Sequence, residues 1–405
     1  MEVMPGYKHS EIGIIPEDWI IKTLGELGSF KNGINKDSED FGYGSPFINL
    51  MDVFGVPKAA EITEKLGLVN STLEEQKIYE LKAGDVLFVR SSIKPEGVGL
   101  TTLIPNDLAK TVFSGFLIRF RDQGQLVKEF KEHCFLSSGL RKRIIANSTV
   151  SANTNINQES LKLIQLVFPP RHKEQQAIAE ALSDMDALLE RLERLILKKR
   201  DLKQAIMHQL LTGQIRLPGF NSEWEEKSLE EIANISKGTQ LHISEINSEG
   251  DVPHYNGGME PSSFTNQFNT PANTITISEG GNSCGFVQFI NKPFWRGGHC
   301  YAVAPNYIDN SFLFYALKNI QNSIMRMRVG SGLPNIQKSA LGLLKLQVPK
   351  NHIEQTTIAA ILSDIDIELT AIEARRDKTQ NLKQAMMQEL LTGKTRLLKP
   401  EMVHA

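Results

Sequence analysis

At 405 residues the chain is longer than one ordinary domain and suits two or three, and its 40% hydrophobic content is enough to give each a core. Charged residues make up 23%, and no stretch approaches eighteen consecutive apolar positions, which excludes a disordered chain and a membrane-spanning helix. The net charge of −2 hides a gradient: residues 86–170 hold eleven Lys and Arg against six Asp and Glu, and residues 279–352 eight against two. Each is a local excess of the kind that a phosphate-facing surface requires.

Residues 1–10 lack the basic-then-apolar layout of a signal peptide, so a cytoplasmic protein is expected. The first globular region, residues 1–170, alternates apolar and polar positions in short runs, with strands expected near 85–90 and 116–120 and a helix over 125–138. A helix follows over 171–217, introduced by Pro169-Pro170 and closed by Gly213 as a C-cap candidate. The second globular region, 218–350, repeats the mixture, with strands expected at 274–277 and 301–303 and a helix over 311–327. The last part, 351–405, opens after Pro349 with a second helix that ends near Gly393.

Self-similarity organises this plan. Residues 174–217 align without gaps on 354–397 at an offset of 180, with 22 of 44 positions identical, including Leu182-Ser183-Asp184 with Leu362-Ser363-Asp364 and Leu210-Leu211-Thr212-Gly213 with Leu390-Leu391-Thr392-Gly393. Trp19, Leu24 and Gly33 match Trp224, Leu229 and Gly238 at a different offset, 205, so the intervening segments differ in length while the helical part keeps its own. Ile178, Leu182, Met185, Leu189, Leu192 and Ile196 step by four and three, and Ile358, Leu362, Ile365, Leu369 and Ile372 repeat the phase, giving each helix a heptad seam. A helix of about 39 residues is roughly 58 Å long. The expected fold is therefore α+β: two mixed α/β domains joined by two long antiparallel helices paired as a coiled coil, with an internal pseudo-two-fold duplication. A coiled coil that joins two copies of the chain is the alternative. Leu188 and Leu195 widen the first seam, where the second helix has Glu368 and Arg375, so the outer faces are expected to dock partners unequally.

No catalytic pattern accompanies this architecture. A Walker-type Gly-x4-Gly-Lys-Ser/Thr phosphate loop is missing, the glycines of 280–285 have the wrong spacing for a dinucleotide cradle, Phe168-Pro169-Pro170-Arg171 lacks the Asn and the aromatic of a base-gripping methyltransferase motif, and Glu225-Glu226-Lys227 reads as a solvated turn. Cys134, Cys284 and Cys300 fit neither a disulfide framework nor a zinc site, and are expected as reduced, buried thiols with no metal bound.

Candidate DNA-binding residues cluster late in both domains. Arg141 and Arg143 lead into Asn153, Thr154 and Asn155; Arg326 and Arg328 lead into Ser331 and Asn335; Arg90, Ser91, Ser92 and Lys94 follow one strand, Ser278 and Asn282 another, and Arg296 completes the set. Arg and Lys suit phosphates and guanine edges, and Asn suits adenine. A solvated turn explains many such residues equally well.

Three features carry a resemblance: the opening phrase from Ser10 to Trp19, the strand phrase Gly84-Asp85-Val86-Leu87-Phe88, and the twice-occurring Glu-Gln-x-x-Ile-Ala and Leu-Leu-Thr-Gly at the helix ends. With these the chain resembles the specificity subunit of type I restriction-modification systems over nearly its whole length. The second unit departs by opening on Pro218-Gly219-Phe220-Asn221-Ser222-Glu223-Trp224. The resemblance implies a non-catalytic protein that reads a bipartite double-stranded DNA target, one half per domain. It also implies partners: two modification subunits that carry the S-adenosylmethionine site, and restriction/motor subunits. No cofactor is expected in this chain. Half-sites about one duplex turn, roughly 34 Å, apart suit helices of this length. A fragment split from a fused restriction-methylation enzyme, or a protein-binding scaffold, would share parts of this pattern.

Overall fold

The computed structural model describes residues 5–54, 66–247, 249–330, 332 and 334–398. The chain forms two compact units, residues 1–191 with 376–405, and residues 192–375.

The first unit is built on a four-stranded antiparallel sheet in the order Gly28–Asn32, Leu117–Asp122, Val86–Val89, Thr101–Leu103. Val86–Val89 is buried throughout, and its period-2 alternation serves two cores: Val86 and Phe88 pack into the large cluster around Trp19, Phe120, Phe130 and Phe135, while Leu87 and Val89 pack with Ile48, Phe113 and Leu117. A small sheet of Phe41–Ile48, Gly67–Val69 and Val112–Phe113 covers the second face. Ile20–Thr23 pairs with Gln165–Phe168, and Thr23 then caps the short helix Leu24–Leu27 through a reciprocal capping box with Glu26.

The second unit repeats this plan. Its sheet runs Ala233–Lys237, Cys300–Pro305, Thr274–Ser278, Val287–Ile290; Trp224–Ser228 pairs with Lys345–Pro349, and Ser228 boxes with Glu231. Val252–Tyr255, Ser263–Thr265 and Trp295–Arg296 form its small sheet. Two expected helices are each broken in two. The stretch 125–138 resolves into Lys128–Cys134 and Ser138–Ala146, because Ser137 leaves the helical conformation and its hydroxyl accepts the Leu140 N–H to start a new helix. The stretch 311–327 becomes Asn310–Asn319, capped by Asp309, and Gln321–Arg326, separated at Ile320 with ψ near 11°.

The long helices are His172–Leu211, 40 residues, and His352–Leu390, 39 residues. Ile178, Ala179 and Leu182 share the first unit's core with Leu390 and Leu391; Ile358, Ala359 and Leu362 share the second unit's core with Leu210 and Leu211. Leu189, Leu192, Ile196 and Leu369 are buried, and Met185, Ile365 and Ile372 half-buried. Within each unit the helix pairs run antiparallel, since Asp186 meets Lys383 and Glu174 meets Arg396 in the first, and Lys203 meets Asp366 and Arg216 meets Glu354 in the second.

Those contacts explain why the duplicated motifs recur. Glu174, at the start of one long helix, is buried against Arg396, which follows the end of the other; Arg396 also grips Asp18 and lies over the Trp19 ring. Arg216 likewise holds both oxygens of Glu354 at 2.8 and 2.9 Å and lies over Trp224. Gln175 and Gln355 are buried, and accept from the N–H groups of Val127 and Asp309 where the following helices begin. Gly213 and Gly393 adopt φ of 70° and 71°, the left-handed turn that ends each helix.

Candidate nucleic-acid interface

In the first unit two separate candidate segments meet in one small sheet. Thr149–Val150, Thr154–Asn155 and Ser91–Ser92 pair in that order, with Thr154 opposite Ser92 and Asn155 opposite Ser91. The hairpin tip is polar and exposed at Ser151 and Asn153, and Ser151 hydrogen-bonds the Asn153 carbonyl to hold the turn. Beside it stand exposed Lys94 and two apolar side chains that sequence reasoning missed, Ile93 at 85% exposure and Val150 at 74%. Exposed aliphatic groups next to Ser, Asn and Lys suit a surface that meets both phosphates and thymine methyls.

Several candidates serve the fold. Arg141 donates to the Glu96 carbonyl and Arg143 to that of Gln165, and burial lowers the pKa of both guanidinium groups; Arg90, by contrast, is half-buried and makes one longer bond, 3.3 Å, to the Gly115 carbonyl. Thr154 is buried and offers no side chain to a ligand, which corrects its place among the readers; its strand pairing on both sides encloses it.

In the second unit the same two regions again come together. The Gly281 N–H donates to the Pro334 carbonyl, and Val329 and Asn335 exchange backbone hydrogen bonds across the loop. Asn282, Arg326 and Arg328 are exposed, and Asn335 is half-buried. Ser331 lies outside the described residues. Ser278 is a second correction: it is buried, and its hydroxyl bonds the Gly257 carbonyl to shape the loop from beneath. Arg296 is half-buried, and donates to the carbonyl and hydroxyl oxygens of Ser236 at 2.8 Å; burial depresses its ionisation too.

The most organised polar cluster of this loop region centres on Glu279, which was not among the candidates. Its carboxylate accepts from Lys237 at 2.6 Å, Tyr301 at 3.1 Å and His299 at 3.2 Å. Burial alone would raise the Glu279 carboxyl; the three donors carry it below its ordinary value. The Tyr301 hydroxyl, buried and facing that carboxylate, is pushed up to about 12.

Elsewhere, Glu132, His133 and Asp186 bring one possible ligand atom each within 4.8 Å of one another; Asp186 is also paired with Lys383, and the His133 ring bonds Ser183. The three cysteines are buried and free, as expected. No helix among the described residues is long and apolar enough to cross a membrane.

Residues 16–199 and 221–383 each match the type I restriction modification DNA specificity domain. The chain is 27% identical to a protein of Methanocaldococcus jannaschii named as the type I restriction enzyme MjaX specificity subunit, over 96% of this chain and 97% of the relative. It is 26% identical to a Mycoplasma genitalium type I specificity subunit, over 71% of this chain and 77% of that one. A Mycoplasma pneumoniae relative is 32% identical over 45% of this chain, which there spans about half, 49%, of the relative's length. Among solved structures, the type I restriction-modification S subunit from M. genitalium shares the fold at a TM-score of 0.62 and 22% identity, covering 95% of this chain and 97% of that one. The chain belongs to the type I restriction-modification DNA specificity family, and it carries the specificity domain twice.

Proposed function

We propose that the chain reads a bipartite double-stranded DNA target, one half through each domain, within a type I restriction-modification complex. The observation that carries this is the duplication: each unit brings a strand end and a late hairpin into one polar loop cluster, and the two clusters differ in side chains while sharing backbone plan. As a specificity subunit the chain supplies recognition, and the catalytic steps belong to other subunits.

The proposed domain division is recognition over 1–170 and 218–350, with spacer helices over 171–217 and 351–405. In this reading the two long helices pair along their length as an antiparallel coiled coil with pseudo-two-fold character, fix the unread spacer between the half-sites, and dock two modification subunits. Leu195, Leu202 and Leu382, exposed at 40%, 48% and 53%, are apolar positions that such partners would cover. S-adenosylmethionine would bind in the modification subunits and restriction/motor subunits would join the assembly, which would act in the cytoplasm.

The test is duplex binding by the complex with its modification subunit as salt is raised. Affinity for a fragment carrying the target should fall linearly in log K against log salt, losing on the order of 10³-fold or more between 50 and 200 mM if six or more phosphates are neutralised. A stable complex with negligible duplex affinity at every salt concentration would make the chain a protein scaffold instead.

A further inference from the structure

The two units hold three pairs of unlike side chains on matching backbone. The Gly33 N–H donates to the Leu117 carbonyl, and the Gly238 N–H to that of Cys300, each at 3.1 Å. The Arg90 N–H donates to Phe116 and the Glu279 N–H to His299, each at 2.9 Å; the Ile156 N–H donates to Arg90 and the Ile336 N–H to Glu279, again at 2.9 Å. Strand register agrees, with Asn32 opposite Ile118 and Lys237 opposite Tyr301, and Leu117 opposite Val89 as Cys300 is opposite Ser278. Asn32 is thus the counterpart of Lys237, Arg90 of Glu279, and Phe116 of His299.

Backbone hydrogen bonds fix these positions in both units, so the fold does not demand the side chains they carry. What they carry differs in chemistry. The first unit has an amide, a guanidinium with one bond to a backbone carbonyl, and a phenyl ring 58% exposed. The second has an ammonium, a carboxylate and an imidazole, with the Lys237 and His299 side chains 50% and 62% exposed and Glu279 13% exposed. Each set adjoins the late hairpin of its unit through Ile156 or Ile336. A phenyl ring left largely in water gains nothing for stability, and a carboxylate that holds an exposed ammonium and an exposed imidazole presents them in fixed directions.

Resting on the reading of the chain as a two-domain DNA reader, we propose that these equivalent positions determine which base pairs each unit accepts. Arg90 and Phe116 contact base edges in one half-site. Lys237 and His299 do so in the other, and Glu279 is the positioning residue that aims them. Arg and Lys suit the paired acceptors of guanine, an apolar ring suits the thymine methyl, and an imidazole nitrogen meets one donor or acceptor at a time.

The experiment uses the full chain with its modification subunit, and reads the sequence around every methylated base in host DNA. Arg90→Gln with Phe116→Ala should relax preference in one half-site by roughly 10- to 100-fold, leaving the other half intact. Lys237→Gln with His299→Gln should do the reverse. Glu279→Gln should relax that same second half, and Glu279→Asp should restore it, which a general loss of stability would not. The unaffected half serves as the folding control; where a double variant fails to assemble, Arg90→Lys and Phe116→Leu are read in the same way. Unchanged motifs in both halves would overturn the inference. A wild-type complex with no bipartite motif would instead overturn the functional reading.

Discussion

Replacing Arg216 by Met should unlatch the second unit. Glu354 is buried with a side chain 1% exposed, and its carboxylate depends on Arg216 for two short bonds and on the Trp224 indole N–H at 3.3 Å for a third. Removing the guanidinium leaves a buried carboxylate with one neutral donor, a change that costs about 3–5 kcal/mol when a buried pair loses one member. The contrast is Lys199→Met, which removes a pair with Glu368 whose carboxylate is half exposed and is worth about 0–1 kcal/mol. Because the chain has two units, hydrogen exchange resolved by segment is the right assay: Arg216→Met should raise exchange in 224–232 and 345–362, while Lys199→Met leaves them unchanged. Adding Glu354→Gln to Arg216→Met should recover part of the loss. Equal, small effects of Arg216→Met and Lys199→Met would refute the reasoning.

The helix-ending glycines should differ in sensitivity. A Cβ on Gly213 would meet the Trp224 ring at 3.6 Å, an ordinary contact, whereas one on Gly393 would sit 2.5 Å from Pro16 Cγ. Gly213→Ala should therefore cost only about 1 kcal/mol of left-handed strain and Gly393→Ala clearly more, by thermal unfolding; the reverse order would contradict the packing. Burial raises all three thiols, Cys300 to about 12, so a thiol reagent at pH 8 should label none until the protein unfolds; a thiol labelled at once in the native protein would contradict this. The hydrogen bond from Arg396 lowers the Asp18 carboxyl below its ordinary 3.8. A depressed carboxyl stabilises above its unfolded pKa and loses that contribution as pH falls, so the first unit should loosen below about pH 4. Asp18→Asn should flatten that acid limb, and an unchanged acid profile would deny Asp18 a role in it.

The heptad seams and the repeated helix ends were legible because burial imposes a period and because Glu174, Arg216, Glu354 and Arg396 must meet in fixed geometry, which keeps their spacing constant. Helix breaks at Ser137 and Ile320 were not: Ser137 caps in the middle of an apolar pattern, and Ile320 turns by its backbone with no capping side chain to signal it. Thr154 and Ser278 looked like readers because polar residues in loops look alike in sequence; their burial comes from strand partners distant in the chain. Glu279 and Lys237 escaped notice because their counterparts, Arg90 and Asn32, are of different chemistry and lie at two different offsets. Strand register, not sequence identity, pairs them.

The most direct measurement is the methylation motif written in host DNA by the chain together with its modification subunit, before and after residues 225–345 are exchanged for the matching segment of a relative. A motif in two parts separated by unread bases, of which one part changes and the other stays, is the predicted result. A motif that changes throughout, or does not change at all, would contradict the account that each domain reads its own half.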